Sequence, residues 1–578
     1  MSNPVLSSVN ARHWLILLAI FIIALVPRWY SSQTVGWGWD GPDSFTLINY
    51  DEGGSCRAAL EGFDYSTFIG QQTIAVASAL GAGVPEGTVG DYNAARSYCY
   101  DPAHLNVARG YSAVLGAATV VLVGVMGFLL APALPAVGFT AAALLAVSGF
   151  HISESQSGTV DAPSVFFIYL FLLAVLLALR SRRLALWSTP LLLVPAVWTK
   201  YWLFAFFAYA CVVPQAAWHY VSQGFSARRL VLLVLALCIL FGLLTNAAFQ
   251  ALPSWRFALL LPFYAVIPWQ AIKRPMMLLW VMVPVFAWAL TQVDLFAAYT
   301  TGVMEERFGT GYAAIGWNKW LRNPMNVGWV LLVGMGIPAL LCLPAGVRAM
   351  MADRAHVRSW LVLLPVLVFA LFMAFLAPVT YYRHYLALLP AALLLASLGY
   401  WQYRFAAKPF ALAVFFLWPV ALSVDLVGDY HQDPRQTLRH WYQEAQPQRV
   451  YMSFYVAPPP AYAQSHALLQ PEYAQGDAAQ LRQAQYLVLS ENWYDTAFPS
   501  ELNGPYTSKL ERLIKTKPEY ARFYQQALAG EHPYLEPARR YTVSNFMPEL
   551  MLHKALYGTF QMFVGDIVVL RITQVPRS

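Results

Sequence analysis

The chain has 578 residues, 58% hydrophobic, 15% aromatic and 12% charged, with a formal net charge of +7. Soluble domains run at about 45–50% apolar and about 25% charged residues, so this composition excludes an ordinary soluble protein and indicates one built largely into a bilayer. The positive charge falls mostly in short loops between apolar runs, so it is a topology signal and not a nucleic-acid footprint.

A crossing helix needs roughly 20 apolar residues, with about 17 as the lower limit. Thirteen runs qualify in chain order: 13–28, 107–130, 133–150, 162–179, 185–199, 202–219, 230–247, 257–271, 276–293, 327–345, 359–377, 385–402 and 410–426. The first follows a weakly basic start and lacks a small-residue cleavage site, which predicts an uncleaved signal anchor. With the N-terminus in the cytoplasm, the cytoplasmic loops hold Arg12, Arg180, Arg182, Arg183, Arg228, Arg229, Lys273, Arg274, Arg348, Arg354, Arg358, Arg404 and Lys408, against the single acid Asp353. That bias predicts a multi-pass protein of the cytoplasmic (inner) membrane, with loop 29–106, loop 151–161, loop 199–201, loop 294–326, loop 378–384 and the tail 427–578 outside.

The tail differs in composition. "DPRQTLRHWYQEAQPQRVYMSF" reads as a helix leading into a strand, and "AQYLVLSENWYDTAF" and "GDIVVLRIT" contain β-rich runs. The expected fold is therefore an α-helical polytopic membrane protein with about thirteen spans over 1–426 and a small extracytoplasmic α/β domain over 427–578. No internal repeat is evident.

The conspicuous polar groups near span ends all fall on the outer side: Asp51 and Glu52 in "NYDEGGSC", His151, Glu154 and Asp161 in "HISESQSGTVDAPSVFF", Lys200 in "WTKYW", and Arg383 and His384 in "TYYRHY". Ionisable groups beside hydrocarbon are costly and tend to be paired or functional. Each also has a simpler role. Asp161 before Ala-Pro suits a helix N-cap, and Lys200 and Arg383 can snorkel to headgroups. The functional reading rests on the set.

These stretches resemble the polyprenyl-phosphate-sugar-dependent membrane glycosyltransferases, the GT-C enzymes related to protein O-mannosyltransferases and to the lipid A aminoarabinose transferase. "YDEG" after the first span, "SQSGTVDAPSVFF" before the fourth and "TKYW" after the fifth carry the resemblance. It implies a GT-C-like fold, a polyprenyl-phosphate-linked sugar as donor, and a lipid, glycan or protein acceptor. Loop 29–106 lacks the aminoarabinose transferase's aromatic-Glu-Lys-Pro-Pro stretch, which makes lipid A the less secure acceptor.

Outside the membrane there is no supply of nucleotide sugars, and a membrane-bound lipid phosphate can present the activated sugar there instead. The acceptor hydroxyl needs a carboxylate base, and the leaving phosphate needs fixed cations. Asp51 is the expected base, with Glu52 orienting a loop group or the acceptor and Asp161 positioning the sugar. Lys200 and Arg383 are expected on the donor phosphate. His151, Glu154, Tyr201, Tyr382 and His384 are expected to line the cavity. The reaction requires no cofactor; a divalent ion, if bound, would sit on Asp51 and Asp161, whose oxygens suit Mg or Mn. A transporter would place charge mid-span or in broken, paired helices, and a polysaccharide polymerase or ligase would use a lipid diphosphate donor. Cys56 and Cys99 share the first outer loop, in an oxidising compartment, and are expected to pair. Cys211, Cys238 and Cys342 lie in apolar runs as small hydrophobes.

Overall fold

The computed structural model describes residues 10–35, 48, 51–62, 67–180, 192, 195, 196, 199, 200, 317–352, 366, 367, 369–371, 373, 374, 382–404, 408–453, 456, 466–468, 481–491, 518–542 and 566–573. Runs 202–219, 230–247, 257–271 and 276–293 lie outside the described residues, as do most of 185–199 and most of 359–377.

The first helix, α1 (Ala11–Thr34), begins in a capping box. Asn10 Oδ1 accepts from His13 N at 3.2 Å, and His13 Nδ1 accepts from Asn10 N at 3.1 Å. Three short helices follow before the next long one: α2 (Gly54–Glu61), α3 (Thr67–Ala79) and α4 (Tyr92–Cys99). Next comes α5 (Pro102–Leu130), started by Asp101, whose Oδ1 accepts from Ala103 N at 2.8 Å, with Pro102 in the first turn, where no N–H is needed. The sequence then forms α6 (Ala136–Ala146), α7 (Gly149–Ser155), α8 (Asp161–Arg180) and α9 (Trp317–Ala352). A 3-10 helix (Tyr382–Leu388) leads into α10 (Leu389–Tyr400), and α11 (Pro409–His431) closes the bundle.

Among the described residues, four helical stretches are long and apolar enough to cross a membrane: Ala11–Thr34, Pro102–Leu130, Val327–Ala352 and Pro409–Gly428. The bent pair α6 and α7 makes a fifth if it is one span. Leu15, Leu18, Ile22 and Ile23 on α1 and Phe410, Leu417 and Val424 on α11 are exposed. That much outward apolar surface suits lipid rather than water. Helices pack closely where side chains vanish. A Cβ on Gly127 would lie 2.4 Å from the Gly138 Cα, so α5 and α6 touch backbone to backbone.

Two predicted boundaries differ from the structure. The run 133–150 breaks after Ala146, and the chain turns by 60° into α7, so His151 and Glu154 sit on a helix and not in a loop. The break is held open by side chains: Arg28 takes the carbonyls of Leu145 and Ala146, and Ser148 Oγ donates to Gly334 O at 2.7 Å. Arg383 and His384 likewise lie on the 3-10 helix. Pro390 sits in the first turn of α10 and supplies no N–H, so the α-helix starts only at Leu389.

The tail holds α12 (Pro434–Ala445), β1 (Val450–Met452), β2 (His466–Leu468), β3 (Tyr486–Ser490), α13 (Pro518–Ala529), β4 (Leu535–Tyr541) and β5 (Ile567–Ile572). The described strands pair in the order β2-β1-β3-β5-β4, with β1 parallel to β2 and β3, and β5 antiparallel to β3 and β4. Strand alternation divides the core in two. Val450, Met452, Val488 and Val569 pack with Leu438 and Trp441 of α12, while Leu487, Leu489, Val568 and Leu570 pack with Phe523 and Tyr524 of α13.

Candidate active site

Four distant stretches converge at one end of the bundle. Asp161 opens α8 with its side chain wholly buried, and Lys200 Nζ lies 2.8 Å from its Oδ1. The Arg383 Nε lies 3.7 Å from Asp161 Oδ2, and its Nη2 donates to Asp51 Oδ2. Lys200 is set by its backbone as well: its N–H donates to Ser164 Oγ at 3.2 Å, one turn along α8. Side-chain exposure grades outward, from 0% at Asp161 through 17% at Arg383 and 20% at Lys200 to 37% at Asp51. Asp51 is therefore the most accessible carboxylate of the cluster, and Asp161 the buried anchor that holds both cations in place.

Glu52 faces the other way. Its Oε1 accepts from Arg109 Nε and Gly158 N, each at 2.8 Å, and its Oε2 accepts from Arg109 Nη2 at 2.8 Å and Ile48 N at 2.7 Å. Both side chains are wholly buried. The carboxylate thus ties the Asp51 loop to α5 and to the segment entering Asp161. Of the two roles expected for Glu52, this geometry suits orienting a loop group, and it leaves no exposed carboxylate to touch an acceptor.

His151 is buried and accepts, through Nδ1, from Arg28 Nη2 at 2.9 Å. Arg28 also donates to the carbonyls of Ala24 at 2.7 Å, Leu145 at 3.0 Å and Ala146 at 3.1 Å. The guanidinium therefore caps the C-terminal end of α6, where carbonyls carry partial negative charge, and His151 belongs to that cap. Glu154, one turn further on, is buried in the field of Asp161, Arg383 and Lys200, and His384 acts on Asp161. Tyr430, near the end of α11, lies in the field of Glu154, Asp433, Arg383 and Arg435. Burial, then the Glu154 charge, holds its phenol well above the ordinary value.

Tyr201 lies outside the described residues, and of Tyr382 only the backbone, in the 3-10 helix, is described. Cys56 on α2 and Cys99 on α4 form a disulfide with Cα atoms 5.7 Å apart. Among the described residues no three His, Cys, Asp or Glu side chains gather as a metal-binding group. Asp51 and Asp161, the pair expected to hold a divalent ion if one binds, both face the Arg383 guanidinium.

Sequence reading passed over three groups: Arg28, Arg109 and Tyr430. The two arginines had a signal. Arg109 falls inside the apolar run 107–130 and Arg28 ends the run 13–28, and an ionisable group there calls for a partner. Tyr430 had none, being one aromatic among 33 tyrosines.

No protein-family model matches this chain, and no curated protein does. Among solved structures, the Archaeoglobus fulgidus oligosaccharyltransferase in complex with Zn and sulfate matches 86% of this chain and 70% of its own at 14% identity, with a TM-score of 0.48. The archaeal oligosaccharyltransferase AglB from Archaeoglobus fulgidus, in complex with an inhibitory peptide and a dolichol-phosphate, matches 97% and 88% at 12% identity, with a TM-score of 0.47. The apo form matches 95% and 72% at 13% identity, with a TM-score of 0.44.

Proposed function

We propose that the chain is a GT-C-like glycosyltransferase that moves a sugar from a polyprenyl-phosphate donor to an acceptor hydroxyl at the outer face of the cytoplasmic membrane, inverting the anomeric carbon. One observation carries this reading: Asp51, the exposed carboxylate, shares a cluster with Lys200 and Arg383, which the buried Asp161 holds at a span end.

A sugar–phosphate–prenyl diester carries one negative charge, and the prenyl phosphate that leaves carries a second. Lys200 and Arg383 therefore attract the departing group more strongly than the bound donor, which is the differential binding that lowers a barrier. Lys200 acts as a point charge and Arg383 as a fork. Asp161 touches the cations and acts as a positioning residue. As the donor phosphate engages Arg383, that guanidinium shifts its attraction from Asp51 to the phosphate. Asp51 then takes the proton of the acceptor hydroxyl as the acceptor oxygen bonds the anomeric carbon. The bond from that carbon to the phosphate oxygen breaks, and its electron pair leaves with the phosphate. A single displacement of this kind inverts the carbon and needs one base and no second acid, unlike the paired carboxylates of soluble glycosidases.

The reading is tested by incubating purified full-length protein with a labelled polyprenyl-phosphate sugar and host envelope material, beside mass spectrometry of the surface glycans and glycolipids of a deletion strain and its parent. Label in an acceptor, and a sugar missing from the deletion strain, are the expected results. An unchanged surface together with an intact donor would overturn it.

A further inference from the structure

A group of side chains outside the cation cluster adjoins Asp51 through the first outer loop. Tyr100 follows Cys99, and its ring rests on the backbone of Gly53, where an added Cβ would meet Tyr100 Cε1 at 2.6 Å. The Asp51 carboxylate acts on the Tyr100 phenol, and the Arg57 guanidinium donates to the phenol oxygen. Arg57 is held in turn by Glu61, with Nε 2.5 Å from Oε1, and its guanidinium carbon lies 5.1 Å from the centre of the Tyr92 ring. Tyr92 is 53% exposed. The Cys56–Cys99 bridge fixes this arrangement, because Cys56 precedes Arg57 and Cys99 precedes Tyr100.

The position relative to Asp51 matters. Arg383 takes one oxygen of Asp51 and belongs with Lys200 to the cluster that suits a phosphate. In an inverting displacement the nucleophile attacks opposite the leaving group, so the acceptor must reach Asp51 from a direction other than that of the cations. Arg383 meets Asp51 from the 3-10 helix, whereas Tyr100 lies beside it on the α2–α4 side, against Gly53, so a different element borders Asp51 there. Its groups suit a carbohydrate. An exposed tyrosine ring offers an apolar face to the C–H face of a pyranose. A guanidinium held by a carboxylate, and a phenol whose oxygen accepts from that guanidinium, offer fixed polar partners for hydroxyls.

We infer that Tyr100, Arg57 and Tyr92 form an acceptor subsite beside Asp51, and that the group it receives is a carbohydrate hydroxyl, in a glycan or a glycolipid headgroup, rather than a protein side chain. The inference rests on the transferase reading above and adds the acceptor class to it. Tyr100 and Tyr92 are specificity residues here and take no part in the proton transfer.

The test uses full-length protein in detergent, a labelled polyprenyl-phosphate sugar as donor, and the host envelope split into glycan, glycolipid and protein fractions. The label is expected on carbohydrate. Tyr92→Ala, at an exposed position, and Tyr100→Phe, which removes only the hydroxyl, are each expected to raise the acceptor concentration for half-maximal transfer by about tenfold, as loss of one good contact does, with donor affinity unchanged. Label on serine or threonine of the protein fraction, or an unchanged acceptor dependence in both variants, would overturn the subsite. If the unaltered protein consumes no donor at all, the transferase reading falls, and the subsite with it.

Discussion

Glu52 and Arg109 form a two-pronged ion pair with both side chains wholly buried, although 57 residues separate them in the chain. The pair anchors the loop that carries Asp51, and through Gly158 it also anchors the segment that leads to Asp161. Asp51, the proposed base, is thus held by a neighbour whose own carboxylate is taken up by Arg109 and Gly158.

Breaking this pair from one side should be severe. Arg109→Ala leaves a buried carboxylate without its cation, which costs about 3–5 kcal/mol. Thermal unfolding in detergent should show a clear loss of stability, whereas Arg109→Lys, which keeps the charge but not the fork, should lose less. Equal melting of Arg109→Ala and the unaltered protein would contradict the clamp.

Lys200 should act on the donor. Hydrogen bonds to charged groups contribute about 1.5–3 kcal/mol, so Lys200→Ala is expected to weaken donor binding by at least about tenfold while the dependence on acceptor stays as it was. Titration with the prenyl-phosphate sugar reads this. Asp161→Asn should weaken donor binding too, because both cations lose their buried anchor.

The Cys56–Cys99 bridge closes a loop with a sequence separation of 43. In the chain-entropy picture, a loop of this length contributes about 4 kcal/mol. Non-reducing peptide mapping of protein purified with a thiol-blocking reagent should recover the linked peptides. A Cys56→Ser, Cys99→Ser double variant should unfold more readily and bind acceptor less well, since α2 and α4 then lose their tie. Alkylation of both thiols without prior reduction would rule the bridge out.

Much of this site was legible because its chemistry is costly in a bilayer. Asp161, Lys200 and Arg383 each stand beside an apolar run and Asp51 in the polar loop after the first, and the structure brings the four together as partners of one another. The helix start at Asp433-Pro434 was equally visible, because an acceptor side chain followed by proline is a local signal, and the same signal at Asp101-Pro102 opens α5 five residues before the apolar run 107–130. The break between α6 and α7 was not. It depends on Arg28, 117 residues before Leu145 in the chain, and on Ser148 reaching Gly334, and no window along the sequence contains those pairs. The same holds for Glu52. Its local neighbourhood is that of Asp51, and only Arg109 and Gly158 separate the two roles.

Asp51 is the proposed group that takes the acceptor's proton. Asn is nearly isosteric with Asp but cannot take that proton. The most direct measurement is therefore turnover of labelled donor by purified Asp51→Asn, alongside donor binding and thermal unfolding of the same preparation. Folding and donor binding close to those of the unaltered protein, with transfer lowered by at least about a hundredfold as expected for loss of a general base, is the predicted result. Near-normal turnover by Asp51→Asn would contradict it.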